Sequence, residues 1–169
     1  MSPAGNWSGS IIQPYTQQSI PRYLHGTMPP MATPCTPDND IDESATRSYI
    51  DFLVDDQGID TLFLRGGVSR MYAFNYDQVR SYTELVMESV DDRVPVIAGT
   101  CGIWDGDNAH KPDPAVYTRE TIELTNHADM AGVSAAVVVL PSALDAAPGK
   151  SLEDTIVDHY IAVAADTEL

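Results

Sequence analysis

The chain has 169 residues, 43% of them hydrophobic, which is enough for one domain with a real core. It carries 25 acidic residues against 9 basic ones and a net charge of −16, a surface that repels phosphate backbones and speaks against nucleic-acid binding. No apolar run approaches the roughly 18 residues needed to span a bilayer, and no basic patch followed by an apolar stretch marks a leader, so the expectation is a cytoplasmic protein that does not bind membranes.

Residues 1–25 are rich in Ser, Pro, Gln and Gly without periodicity and read as a mobile tail or an arm lying on a neighbour. The domain is expected over 26–169. A first strand is predicted over Thr27–Thr33, ending in Thr33-Pro34-Cys35-Thr36-Pro37. A helix over Asp42–Asp55 would place Ala45, Tyr49, Phe52 and Leu53 on one face. The second strand, Thr61–Arg65, runs into Arg65-Gly66-Gly67-Val68-Ser69-Arg70. Asn75 with Gln78 forms a capping-box pattern ahead of Val79, Tyr82, Val86 and Val90 at helical spacing. Val94–Thr100 is the third strand, its Pro95 placed where a missing N–H is tolerated. Asp113-Pro114 reads as N-cap then N1 of a helix facing inward through Tyr117, Thr121, Leu124 and Ala128. Ser134–Leu140, a continuous apolar run, suits a strand buried on both faces. Ser151 with Asp154 opens the last helix, with Leu152, Ile156, Tyr160 and Val163 on its apolar face.

The order is β-α, four times, at strand spacings of about 30 to 40 residues, the size of a βαβ unit. That predicts a parallel sheet, either open and doubly wound or part of a barrel; periodicity does not choose between them.

Working residues of parallel α/β folds sit just past the C-terminal ends of strands. At the first corner Thr33 is a candidate donor into a pocket, while Pro34 and Pro37 shape a rigid turn. The second corner is the best site candidate: two glycines let the backbone curl and present N–H groups to an anion, and Ser69 and Arg70 can add donors to a carboxylate. It matches neither a Walker loop nor a dinucleotide fingerprint. At the third, Cys101 has no partner His at a nucleophile-type spacing and reads as a small residue in a turn. Asp105, Asp107 and His110 form no EF-hand pattern and read as a solvated acidic loop of the kind found in salt-adapted proteins. At the fourth, Ser142 lacks a nucleophile-elbow context. His25, His127 and His159 have no metal-site spacing. Cys35 and Cys101 form no disulfide framework. No metal, no cofactor and no catalytic residue is expected in this chain.

Taken together, the corners resemble the N-terminal half of the dihydrodipicolinate synthase / N-acetylneuraminate lyase family. Met31-Ala32-Thr33-Pro34 followed by Asp38 to Asp42 resembles its first strand and Thr-Pro-Phe turn. Gly58-Ile59-Asp60 with Leu62 to Gly66 resembles its second strand. Val94-Pro95-Val96-Ile97-Ala98-Gly99-Thr100 is close to its third-strand signature, and Ala131-Gly132 through Pro141 resembles its fourth strand. The resemblance implies an α/β fold of TIM-barrel type, here about four βα units of a (β/α)8 barrel. It also implies a pyruvate-type class I aldolase, in which a lysine on the sixth strand forms a Schiff base with a 2-keto acid and a fifth-strand tyrosine relays protons. The family's Gly-Thr-Thr-Gly-Glu motif corresponds to Gly66-Gly67-Val68-Ser69-Arg70, which has lost both threonine hydroxyls and exchanged an acid for a base. The Pro-Tyr-Tyr corner corresponds to Pro141-Ser142-Ala143. The sequence reaches Leu169 about where a fifth strand would begin, so the relay tyrosine and the Schiff-base lysine have no counterparts in it.

The resemblance thus implies Thr33, Gly66, Gly67, Val68 and Ser69 on the carboxylate side of a 2-keto acid site completed by further strands. The alternative is a non-catalytic half-barrel or pseudo-enzyme with a binding or oligomerisation role. A full barrel takes about 250 residues. Four units leave open strand edges, so a homo-oligomer or a complementary half is expected to cover them. An open flavodoxin-like sheet, monomeric with blocked edges, is a third reading.

Overall fold

A computed structural model describes residues 20–169. The expected tail therefore lies mostly outside the described residues; its last part, Arg22–Leu24, makes one 3-10 turn. Three strands pair in parallel in the order β1 (Leu62–Leu64), β2 (Val96–Gly99) and β3 (Ala135–Val137). Leu64 lies opposite Ala98, and Ala98 opposite Ala136. Four α-helices among the described residues alternate with them, the first ahead of β1: α1 (Glu43–Asp51), α2 (Tyr76–Val90), α3 (Pro114–Met130) and α4 (Leu152–Asp166).

The expected count of four strands needs correction. The Thr27–Thr33 segment makes only an isolated parallel bridge, Pro30 opposite Phe63, beside β1. Met31 N–H donates to Phe63 O and Phe63 N–H to Pro29 O, at 2.8 and 3.2 Å. Pro29 and Pro30 have no N–H to give, so the chain lies where a first strand would lie without forming a regular ladder.

The helices start where their caps predict. Asp42 accepts from Ala45 N–H, Asn75 and Gln78 complete a reciprocal capping box, Asp113 accepts from the N–H groups of Ala115 and Val116 ahead of Pro114 at N1, and Ser151 accepts from Asp154 N–H. Val79, Tyr82, Val86 and Val90 of α2 are buried, as are Tyr117, Thr121, Leu124 and Ala128 of α3. Leu62 and Leu64 of β1 and Val96 and Ala98 of β2 pack with Ile50, Leu53, Tyr82, Val86, Val90 and Ala128 in one apolar core between the sheet and its helices.

Three packing expectations fail for local reasons. After α1 the helix widens into a π-turn over Phe52–Asp56, with Gln57 N–H reaching Phe52 O. The inward face then runs through Thr46, Ile50 and Leu53, while Phe52 turns outward and its ring stacks near that of Tyr49, 6.4 Å between centroids. The Ser134–Leu140 run is only half-buried along β3, and Val139 is exposed. In α4 the buried stripe is Thr155, His159 and Val163, while Leu152, Val157, Tyr160 and Ile161 are exposed. Thr155 Oγ1 accepts from Ala147 N–H and Thr118 Oγ1 lies 2.9 Å from His159 Nδ1, while His159 Nε2 is buried without a partner among the described residues.

Candidate functional site at the strand C-termini

Because the three strands are parallel, the turns that follow them gather at one end of the sheet. Met71 from the turn after β1, Cys101 and Trp104 from the loop after β2, Tyr117 from the first turn of α3 and Ala143 from beyond β3 meet there in one apolar cluster. The Tyr72 ring packs edge-on against Trp104, with centroids 5.2 Å apart.

Thr33 and the Gly66–Ser69 corner are brought together. Thr33 Oγ1 donates to Ser69 O at 2.9 Å, and Ser69 Oγ donates back to Met31 O. Thr33, Gly66 and Ser69 are buried, whereas Gly67 and Val68 are exposed at the tip. Gly67–Ser69 forms a 3-10 turn closed by Ser69 N–H to Gly66 O at 2.9 Å. Among the described residues the N–H groups of Gly67 and Val68 meet no acceptor. Arg70 turns away from this corner to Asn39, 3.1 Å from its Oδ1. It is Arg65, not Arg70, that lies inside: its side chain is buried and Nη1 donates to Gly99 O and Cys101 O at 3.2 and 2.7 Å. Spacing alone assigns Arg65 no role. The available signal was a charged residue closing the apolar run Leu62-Phe63-Leu64.

Gly99 is needed here. A Cβ on it would lie 2.4 Å from Arg65 O, so only a bare backbone fits where the ends of β1 and β2 converge. Below the corner, Tyr82 is buried and its hydroxyl is pushed up to about 12, chiefly by burial. Burial also pushes the Tyr117 hydroxyl upward; that hydroxyl donates to Val139 O at 2.8 Å and ties α3 to the chain beyond β3.

The third corner is held by α3. Gly102 N–H donates to Thr121 Oγ1 at 2.8 Å and Ile103 N–H to Glu120 Oε2 at 2.9 Å, while Cys101 is buried in the apolar cluster. The Trp104 indole donates to His110 O at 2.8 Å and pins the loop that follows. In that loop Asp105 Oδ1 accepts Asp107 N–H, and Asp105 Oδ2 lies 2.6 Å from His110 Nδ1. That bond raises the imidazole's pKa and lowers the carboxyl's. At the fourth corner Ser142 Oγ donates to Asn108 Oδ1 at 3.0 Å. Both lysines lie outside the strands and form exposed ion pairs, Lys111 with Asp145 and Lys150 with Asp158. A groove of about 570 Å³ runs between α3 and α4, lined by Thr118, Lys150, Asp158 and His159 among others; none of the corner residues lines it.

The chain is similar in sequence and fold to a known group of proteins. The Escherichia coli protein YagE, described as a putative 2-dehydro-3-deoxy-D-gluconate aldolase, is 34% identical over 116 residues, 69% of this chain and 34% of that protein. The 4-hydroxy-tetrahydrodipicolinate synthase of Acidiphilium cryptum is 31% identical over 141 residues, 83% of this chain and 42% of the enzyme. The chain therefore spans less than half the length of these relatives. Among solved structures, YagE in complex with pyruvate superposes with a TM-score of 0.67 at 28% identity, covering 85% of this chain and 42% of YagE. CdNal from Clostridium difficile, in complex with mannosamine, shares the fold with a TM-score of 0.69 at 18% identity, over 86% of this chain and 44% of that one. The open flavodoxin-like alternative gives way to the α/β fold of these neighbours. Residues 23–169 match the model of the dihydrodipicolinate synthetase family, and the chain belongs to that family.

Proposed function

We propose that this chain supplies the carboxylate side of a 2-keto acid site in a pyruvate-type class I aldolase, a carbon–carbon lyase or synthase working through a Schiff base. The observation that carries the reading is the interlock of Thr33 with Ser69, which holds the free N–H groups of Gly67 and Val68 at the C-terminal end of a parallel sheet. In this reading Thr33, Gly66, Gly67, Val68 and Ser69 line the carboxylate end. The attacking lysine comes from strands outside the chain, since Lys111 and Lys150 sit in surface ion pairs. A binding or assembly role without catalysis is the second reading. It is favoured by the second corner, where Gly67 and Val68 offer backbone N–H groups but no hydroxyl to relay a proton. In both readings the half-buried β3 and the exposed apolar side chains of α4 are covered by a second copy or a complementary half.

Borohydride trapping with pyruvate, followed by intact mass, distinguishes the two. It is run on this chain and on the longest translated reading frame that contains it. A pyruvate-sized adduct on the longer polypeptide alone supports the aldolase with its lysine outside this segment. No adduct on either refutes it and leaves the binding role.

A further inference from the structure

We propose that Arg65 is a carboxylate-binding residue, offering its Nε–Nη2 edge to the carboxylate of the ligand; this rests on the keto-acid reading above and names the group that holds the acid.

Arg65 is only 4% exposed, yet no Asp or Glu among the described residues lies within ion-pair distance of it. This occurs in a chain with 25 acidic residues, in which Arg47, Arg93 and Arg119 each find a carboxylate. A guanidinium keeps its charge in any protein setting, so burial cannot be relieved by losing a proton. Its Nη1 is satisfied by two carbonyls, Gly99 O and Cys101 O, which fix the plane of the group but carry no net charge. Nε is buried with no hydrogen-bond partner, and Nη2 makes no hydrogen bond among the described residues. The unused edge is the one that pairs with a carboxylate through two parallel N–H···O bonds.

Two backbone features set up this placement. Arg65 itself has φ of 55°, the left-handed region that a bulky side chain seldom adopts, at the residue that closes β1. The bare Cα of Gly99 opposite leaves room, since a Cβ there would collide with Arg65 O. Next in sequence is the Gly66–Ser69 corner, whose tip residues Gly67 and Val68 present N–H groups and no polar side chain. A buried, unneutralised cation held by two carbonyls and followed in sequence by free N–H groups offers the charge that a small carboxylate requires.

The test follows carboxylate binding to this chain by calorimetry and by the rise of Tm with ligand, at constant ionic strength so that screening does not imitate binding. The probes are pyruvate, propionate and neutral pyruvamide, against wild type, Arg65→Lys and Arg65→Met. Wild type is expected to bind pyruvate and not pyruvamide. Arg65→Lys keeps the charge without the fork and weakens binding several-fold, and Arg65→Met weakens it at least tenfold. Arg65→Met removes both an unpaired buried charge and the donor to Gly99 O and Cys101 O, changes that oppose each other in the unliganded Tm, so the rise of Tm with ligand, not the unliganded Tm, reads the assignment. Pyruvate binding left intact in Arg65→Met overturns the assignment while sparing the keto-acid reading. Equal Arg65-dependent binding of propionate and pyruvate supports the assignment and counts against a site built for keto acids. Wild type that binds no carboxylate overturns the assignment, whatever the trapping experiment shows. Should Arg65→Met fail to fold, the several-fold loss in Arg65→Lys decides.

Discussion

Replacing Ser69 by Ala removes the hydroxyl that donates to Met31 O, and replacing Thr33 by Val removes the one that donates to Ser69 O. Both hydroxyls belong to buried residues, and no other donor reaches either carbonyl among the described residues. A buried acceptor left without a partner costs about 1–3 kcal/mol, more than the roughly 1 kcal/mol net worth of an ordinary hydrogen bond. Each single change is therefore expected to lower stability by about 1–3 kcal/mol, or about 2–4 °C in Tm per kcal/mol for a chain of this size. The two bonds are rungs of one bridge between residues 31–33 and the turn at Ser69, so losing either slackens the other. The double variant should fall short of the sum by at least about 0.5 kcal/mol. Urea denaturation followed by far-UV circular dichroism measures all four corners of the cycle. Singles within about 0.5 kcal/mol of wild type, the range of ordinary surface changes, or a strictly additive double, would refute the interlock and with it the rigidity assigned to the Gly66–Ser69 corner.

Gly99→Ala sets a Cβ 2.4 Å from the Arg65 carbonyl, a backbone atom that cannot swing aside, so it should cost about 1–3 kcal/mol by overpacking. Gly67→Ala, whose Cβ would meet nothing within 4 Å, should be close to neutral in the same thermal melts. His159 is buried and its pKa is lowered by desolvation, so the folded state holds it neutral. Its contribution is complete above the unfolded value of about 6.5 and is lost as pH falls through the depressed folded value, because the unfolded chain takes up the proton first. Stability measured across that window should decline toward acid in wild type and decline less in His159→Gln; equal slopes would contradict the assignment. Finally, a charge of −16 predicts that neutral salt raises Tm by screening self-repulsion, and a flat response to potassium chloride would count against an acidic surface under strain.

The helices were legible because their signals are local. Asn75 with Gln78 and Asp113 with Pro114 act within one turn of chain, and the caps form where those residues stand. The strand ends were legible through glycine and apolar runs, so the turn at Gly66–Ser69 could be singled out before its fold was known. The rest was set by tertiary partners. Pro29 and Pro30 removed the donors a first strand needs, although the segment still lies along β1. The inward stripe of α4 follows His159 and Thr155, because Thr118 and Ala147 supply hydrogen bonds that no hydropathy pattern encodes. Arg70 stands after the glycines and pairs with Asn39 at the surface, whereas Arg65 turns inside to the carbonyls of Gly99 and Cys101; both have the same left-handed φ of 55°, so the difference is set by these tertiary partners.

Burial is graded across the sheet, and the grading bears on where chemistry can occur. Every residue of β2 is buried, β1 alternates with Phe63 half-covered, and β3 is half-buried throughout. The most buried part of the sheet is thus the β1–β2 pair, and the carbonyls that hold Arg65 come from the last residue of β2, Gly99, and from Cys101 two residues beyond it. A binding group needs its own orientation fixed before the ligand arrives, or binding energy is used to order it. Placing the cation on the most constrained pair of strands, and the N–H groups on the turn that Thr33 and Ser69 lock, satisfies that requirement without help from β3 or α4. Those outer elements are then free to serve the association proposed above. Disrupting the exposed face of α4 should therefore alter assembly while leaving carboxylate binding at the β1 end unchanged.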